Sequence, residues 1–170
     1  TARKSSQTVL FLISSTLIRM MAPILTFLAE ETYSYFKGKT KDSIFLEDFP
    51  ISNKKWENPE LAKLFEKVLI VRGDVQKKLE ELRANKTIGA SLEASVDIQV
   101  EEEMYQALMA VRDLREILIV SEVTVKKGSY QIVAKKADGE KCVRCWVYSK
   151  EISTTEKHLG VCPKCVEALS

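Results

Sequence analysis

Residues 59–86 read "PELAKLFEKVLIVRGDVQKKLEELRANK", and residues 90–101 follow with "ASLEASVDIQVE". The change of rhythm between these two stretches sets the fold class. In the first, Leu61, Phe65, Val68, Arg72, Val75, Leu79 and Leu82 step by three or four residues, the stripe of a long amphipathic helix. Gly73 weakens it by about 1 kcal/mol relative to Ala. Arg72 lies inside the apolar stripe. It either snorkels at the edge of a core or reaches a phosphate or base at the rim. In the second stretch Val96, Ile98 and Val100 alternate as a strand does. "EEEMYQALMAVRD" (101–113) reads as a short helix with acids in its dipole-favoured first turn. "REILIVSEVTVKKGSYQIVAKKADG" (115–139) reads as two or three strands with a turn at Lys127–Ser129.

Toward the N-terminus, helical spacing continues. Ser5 and Ser6 suit the cap of a helix through "QTVLFLISSTLIRMM" (7–21). Pro23 suits the start of a second helix, "APILTFLAEETYSYF" (22–36), on which Ile24, Phe27 and Leu28 share a face and which Gly38 stops. Residues 8–29 are apolar enough to call for a membrane test. Arg19 and Pro23 interrupt them, so no uncharged run nears the ~20 residues that a bilayer requires. Residues 37–59 hold Gly, Asp, Ser, Asn and two Pro, and read as a connector with at most a short strand at Ile44–Leu46. The expected class is mostly α with a small α+β unit. It divides into a helical region (1–90), an α+β junction (91–139) and a tail (140–170).

The tail, "KCVRCWVYSKEISTTEKHLGVCPKCVEALS" (141–170), holds all four cysteines of the chain. Cys142 and Cys145 form one Cys-x-x-Cys pair, Cys162 and Cys165 the other, with sixteen residues between. Two such pairs at this separation are a zinc signature. Four thiolates close a tetrahedral site and leave no position open for water, so the metal would be structural. A thioredoxin-like motif leaves the second pair unexplained, and disulfides would require an oxidising compartment for which no secretory signal is present. His158, between the pairs, is expected to be an exposed side chain rather than a fifth candidate ligand. So short a piece has too few apolar residues for a core of its own, and zinc would decide whether it folds.

The cysteines have chemistry-bearing neighbours. Lys141, Arg144 and Lys164 adjoin the ligands, and Trp146 follows the first pair. From Lys126 onward nine Lys and Arg face five Asp and Glu, which leaves +2 after the −2 of a zinc tetrathiolate. A rigid basic and aromatic cluster suits the unstacked bases of an RNA loop. The alternative is that Trp146 is the small core beneath the zinc and the lysines are solvated surface. Net charge over all 170 residues is only +2, so overall charge names no partner. One His excludes a His-based triad elsewhere, and no GxGxxG, Walker A or GxSxG run is present. Glu30, Glu31 and Glu101 to Glu103 read as solvated, dipole-compensating carboxylates. No catalytic residue is expected; the chain reads as a binding module.

The tail resembles the C-terminal zinc domain of bacterial isoleucyl-tRNA synthetases, in which "KCxRCW" opens the site and "CxRC" closes it; Lys164 stands where the second pair often carries Arg. "MMAPILTFLAEETY" (20–33) resembles the family's "LAPxLxFTAEEIW", "SIFLEDFP" (43–50) its "SVHLxDWP", and "IGASLEASVDI" (88–98) its "IGxSLEAxV". The motifs keep the family's order. The resemblance implies a helical anticodon-binding domain, a junction and a zinc knuckle belonging to a class I enzyme that joins isoleucine to its tRNA with ATP and Mg2+. The HIGH and KMSKS signatures and the editing domain lie outside these residues, and a chain starting at Thr1 rather than Met reads as part of something larger. The implied partner is the anticodon stem-loop of the isoleucine tRNA, bound by a cytoplasmic monomer with one structural zinc. Two readings stand beside it. DNA-repair glycosylases carry a zinc finger of the same spacing, and a zinc ribbon on a helical scaffold is also a protein-interaction module.

Overall fold

The computed structural model describes residues 2–169, which form two compact units divided between Glu57 and Asn58. In the first unit, α1 (Ala2–Met21) and α2 (Thr26–Tyr35) are joined by a turn that holds Pro23. Helix α1 starts earlier than its serines suggest, so Ser5 and Ser6 lie within it rather than at its cap. Ile18, Ala22, Ala29, Tyr33 and Ile44 make a small core, edged by Met21 and Phe36. Ile24, Phe27 and Leu28 stay exposed. The segment Ile44–Leu46 is a 3-10 turn rather than a strand, because Ser43 caps it through the Phe45 N–H. Glu30 and Glu47 hold the connector in place. The Glu30 carboxylate accepts from the Ser43 hydroxyl (2.9 Å) and the Ile44 N–H (3.0 Å). Glu47 accepts from the Tyr33 and Thr40 hydroxyls. Gly38 lies against the Phe11 ring, which would stand 2.5 Å from any Cβ there. Close approach, not helix termination, therefore explains this glycine; α2 has already ended at Tyr35.

The second unit is built on α3 (Pro59–Ala84). Asn58 caps it by accepting the Leu61 N–H, with Pro59 in the first turn. Against α3 packs a three-stranded sheet in the order β2-β1-β3. Strand β1 (Ala94–Val100) runs parallel to β2 (Glu122–Lys127) and antiparallel to β3 (Gln131–Lys136). The parallel connection passes through α4 (Glu102–Met109) and α5 (Leu114–Leu118). The start of the run expected to be strands is thus helical. Asp113 nucleates α5 by accepting the Arg115 N–H.

Alternation in β1 works as expected: Ala94, Val96, Ile98 and Val100 are buried, and Gln99 faces solvent. They share one core with Val68, Val71, Val75 and Leu79 of α3 and with Leu108, Leu114, Leu118 and Val120. Each such side chain contributes about 1.5–3 kcal/mol by leaving water. Leu61 and Phe65, in the first two turns of α3, remain exposed. Because α3 gives its buried face to the sheet, packing divides the chain before α3, at residue 57/58. Among the described residues, no helix is long and apolar enough to cross a membrane.

Candidate metal centre and nucleic-acid interface

The tail follows the sheet in the same unit. A hairpin of β4 (Glu140–Lys141) and β5 (Tyr148–Ser149) carries the first cysteine pair in its loop, and α6 (Pro163–Leu169) carries Cys165. The loop is closed by the Cys142 N–H to Val147 O (2.9 Å) and the Trp146 N–H to Cys142 O (2.9 Å). The turn drives Trp146 into left-handed backbone, φ 67°. Gly160, at φ 77°, turns the chain toward the second pair and accepts the Val143 N–H at 3.0 Å.

All four sulfurs lie within 4.8 Å of one another, and those of Cys145 and Cys162 are 3.6 Å apart. A tetrahedron with metal–sulfur bonds of about 2.3 Å has edges of about 3.8 Å, so the cluster fits a zinc ion. Cys142, Cys162 and Cys165 are buried, and Cys145 is half-buried. Burial pushes the Cys142 thiol up, but the N–H groups of Cys145, Cys162 and Arg144 outweigh it and bring the thiol down to about 6. Burial and the neighbouring sulfurs push Cys145 up to about 12, and burial raises Cys162. The amides thus favour one thiolate, and its charge resists formation of the next. A divalent cation removes that resistance. His158 is half-buried and stands outside the sulfur cluster; its Nδ1 has no hydrogen-bond partner among the described residues.

The small core under the cysteines is Val161 with Ile152 and Val166. Trp146 is not part of it: its side chain is 60% exposed, with Lys141 Nζ 4.9 Å from the ring centroid. Arg144 is exposed on the same loop. The structure therefore brings Lys141 and Trp146 together, with Arg144 on the same loop. The other two candidates lie elsewhere. Lys164 pairs with Glu116 of α5, and the Arg72 Nε donates to Ile117 O at 3.0 Å, tying α3 to α5.

Two features escaped sequence reasoning. The Ser121 hydroxyl donates to Leu92 O and accepts the Tyr148 N–H at 2.7 Å, which fastens the hairpin to the sheet. Arg115 forks onto Asp113, Nε to Oδ1 at 3.0 Å and Nη2 to Oδ2 at 2.9 Å. Asp113 carries a local signal, an Asx cap before "LRE"; Ser121 carries none.

Residues 1–100 match the model of the anticodon-binding domain of tRNA ligase, and residues 139–168 that of a zinc finger found in FPG and IleRS. The chain is similar to the isoleucine–tRNA ligase of Thermoanaerobacter sp. (strain X514), at 38% identity over 96% of this chain and 19% of the relative. It is 36% identical to that of Geobacter sulfurreducens, over 98% of this chain and 20% of the relative. It is 42% identical to that of Neisseria meningitidis serogroup A, over 98% and 18%. The chain thus spans about a fifth of the length of these curated relatives.

Proposed function

The chain belongs to the family of anticodon-binding domains of tRNA ligases, and from that premise we propose that it recognises the anticodon stem-loop of the isoleucine tRNA for a ligase of that amino acid. The zinc-finger match alone does not choose between a ligase and a DNA-repair enzyme, since its description covers both. The match over residues 1–100 favours the ligase.

The observation that carries the reading is the exposed Trp146 face with Lys141 above it, on a loop beside the four clustered cysteines. Bases splayed from an RNA loop stack on such a face and gain about 1–3 kcal/mol each. Arg144 beside it supplies charge for the backbone. In this division of labour, residues 1–90 contact stem phosphates, which position without specifying. Residues 91–139 form a junction, and residues 140–170 hold one structural zinc through Cys142, Cys145, Cys162 and Cys165 and read bases. Lys164 and Arg72 are secondary contacts, since each is engaged within the fold. The whole ligase, a cytoplasmic monomer in this reading, joins isoleucine to tRNA with ATP and Mg2+. Binding energy gathered at the anticodon places the acceptor end for that reaction.

The test is titration of fluorescently labelled anticodon hairpin and of duplex DNA of equal charge over a range of salt. Hairpin affinity should exceed that for duplex and fall about tenfold or more in Trp146→Ala. Equal affinities with equal salt slopes would reduce the interface to generic electrostatics.

A further inference from the structure

Phe11, Ser15 and Arg19 follow one another by four residues along α1, so they share one face of that helix. Ser15 anchors the guanidinium: Arg19 Nε donates to Ser15 O at 3.0 Å and Nη2 to Ser15 Oγ at 2.9 Å. Nη1 has no hydrogen-bond partner among the described residues. The Phe11 ring stacks with Phe36, 5.2 Å between centroids and 22° between planes, and Gly38 lets the connector close on it. The connector also brings in Glu47. Its Oε1 accepts from the Tyr33 hydroxyl, the Thr40 N–H (3.2 Å) and the Thr40 hydroxyl (2.8 Å). Its Oε2 has no partner among the described residues. Phe11, Arg19, Phe36 and Glu47 line one pocket of about 160 Å³, wholly within the first unit.

We propose that this pocket takes one unstacked RNA base, guanine before the others, with Arg19 and Glu47 reading its edge. The site rests on the RNA reading and goes beyond it, since it gives the first unit a base to read as well as phosphates to grip.

The chemistry of the walls selects the ligand. A guanidinium only donates and a carboxylate only accepts, so the ligand edge must carry an acceptor beside a donor. Opposite charges on one pocket disfavour simple ions: a phosphate meets Glu47, and an ammonium group meets Arg19. The paired rings of Phe11 and Phe36 favour a planar partner. Bases splayed from an RNA loop meet these demands, because they stack on aromatic side chains and hydrogen-bond along their edges. Guanine sets O6, an acceptor, beside N1–H and an amino group, both donors. O6 then suits Arg19 Nη1, and the donors suit Glu47 Oε2. Uracil would turn a second carbonyl oxygen toward the carboxylate.

The test uses the full-length, isotope-labelled chain. It is titrated with the monophosphates of guanosine, adenosine, cytidine and uridine, which carry equal charge, and separately with the anticodon hairpin. The guanosine compound should shift the amides of Phe36, Thr40 and Glu47 saturably and more tightly than the uridine compound. Arg19 bonds only within its own helix, so Arg19→Gln leaves the connector in place, and it should weaken guanosine binding about tenfold. Glu47→Gln keeps an oxygen for Tyr33 and Thr40 but replaces the free acceptor with a donor, and should lose the preference for guanosine over uridine. Chelation of metal should change neither result, since no cysteine lines the pocket. A native chain that fails to bind the hairpin overturns the RNA reading, and the mononucleotide titration judges the pocket in that case as well. Equal binding of all four nucleotides would overturn the proposal. So would Arg19→Gln binding guanosine monophosphate as the native chain does, or a free amino acid shifting the same amides in its place.

Discussion

Ile119 and Trp146 both stand on left-handed backbone, at φ 58° and 67°, although neither is glycine. For Ile119 the reason is local. It ends α5, and the next N–H, that of Val120, returns to Arg115 O. A β-branched residue there costs about 1–2 kcal/mol. Its side chain is half exposed and returns little of that. Ile119→Gly should therefore raise stability by about 1 kcal/mol, read as a higher urea midpoint with unchanged slope. Trp146 bears the same strain while presenting its ring to solvent, which suits a residue kept for what it touches. Trp146→Gly should bind zinc as before and lose hairpin affinity about tenfold or more. Loss of zinc in that variant would make the ring structural. Glu47 gives a pH prediction. Hydrogen bonds from the Tyr33 and Thr40 hydroxyls hold its carboxyl below the usual 4.5. A lowered native pKa means stability that is present above the unfolded value and lost as pH falls through the native one. Melting followed from about pH 6 to about pH 3 should show the native chain losing more stability than Glu47→Gln. The clustering of the four cysteines was legible because two close pairs at this separation bring their sulfurs together. The roles of Glu30 and Glu47 were not, since their partners lie 13 and 14 residues away.

Among elements, α3 was the most legible, because 26 residues sample the helical period many times. What periodicity did not report is how far the sheet reaches. Leu61 and Phe65 fit the stripe yet stay exposed, while Val71, outside the expected stripe, is fully buried. Short elements were misread for a related reason. "REILIV" is apolar, β-branched and too brief for either period to show, and the helical answer came from the Asp113 cap. Gly73 offers a test on α3. A Cβ built there meets no atom within 4 Å, so neither packing nor a turn requires glycine. Gly73→Ala should raise stability by about 1 kcal/mol through the lost flexibility of the unfolded chain. A lower urea midpoint would show that Arg72 or Asp74 depends on the freedom of that turn.

At the scale of the whole molecule, the two units differ in what holds them. The first has the small core around Ile18, Ala29 and Tyr33, and the sheet of the second has the large one around Val68, Val96 and Ile98. The tail has neither. Apart from its cysteines, its core is Val161 with Ile152 and Val166. Two strands of two residues and a helix of seven cannot offset the entropy of ordering thirty residues, at about 1–2 kcal/mol each for the backbone. Zinc binding, at about 10–16 kcal/mol in comparable sites, is the term large enough to change the outcome. Chelation should then unfold residues 141–166 while α1, α2 and the sheet persist. Hydrogen exchange measures this directly: the amides of Cys142, Val143, Trp146 and Cys162, all bonded within the tail, should lose protection, and those of β1 should keep theirs. Hairpin affinity should fall with the tail and return with added zinc. If the tail amides stay protected without metal, the attachments to Ser121 and to Glu116 of α5 suffice to order it, and zinc is a reinforcement rather than the condition of its folding.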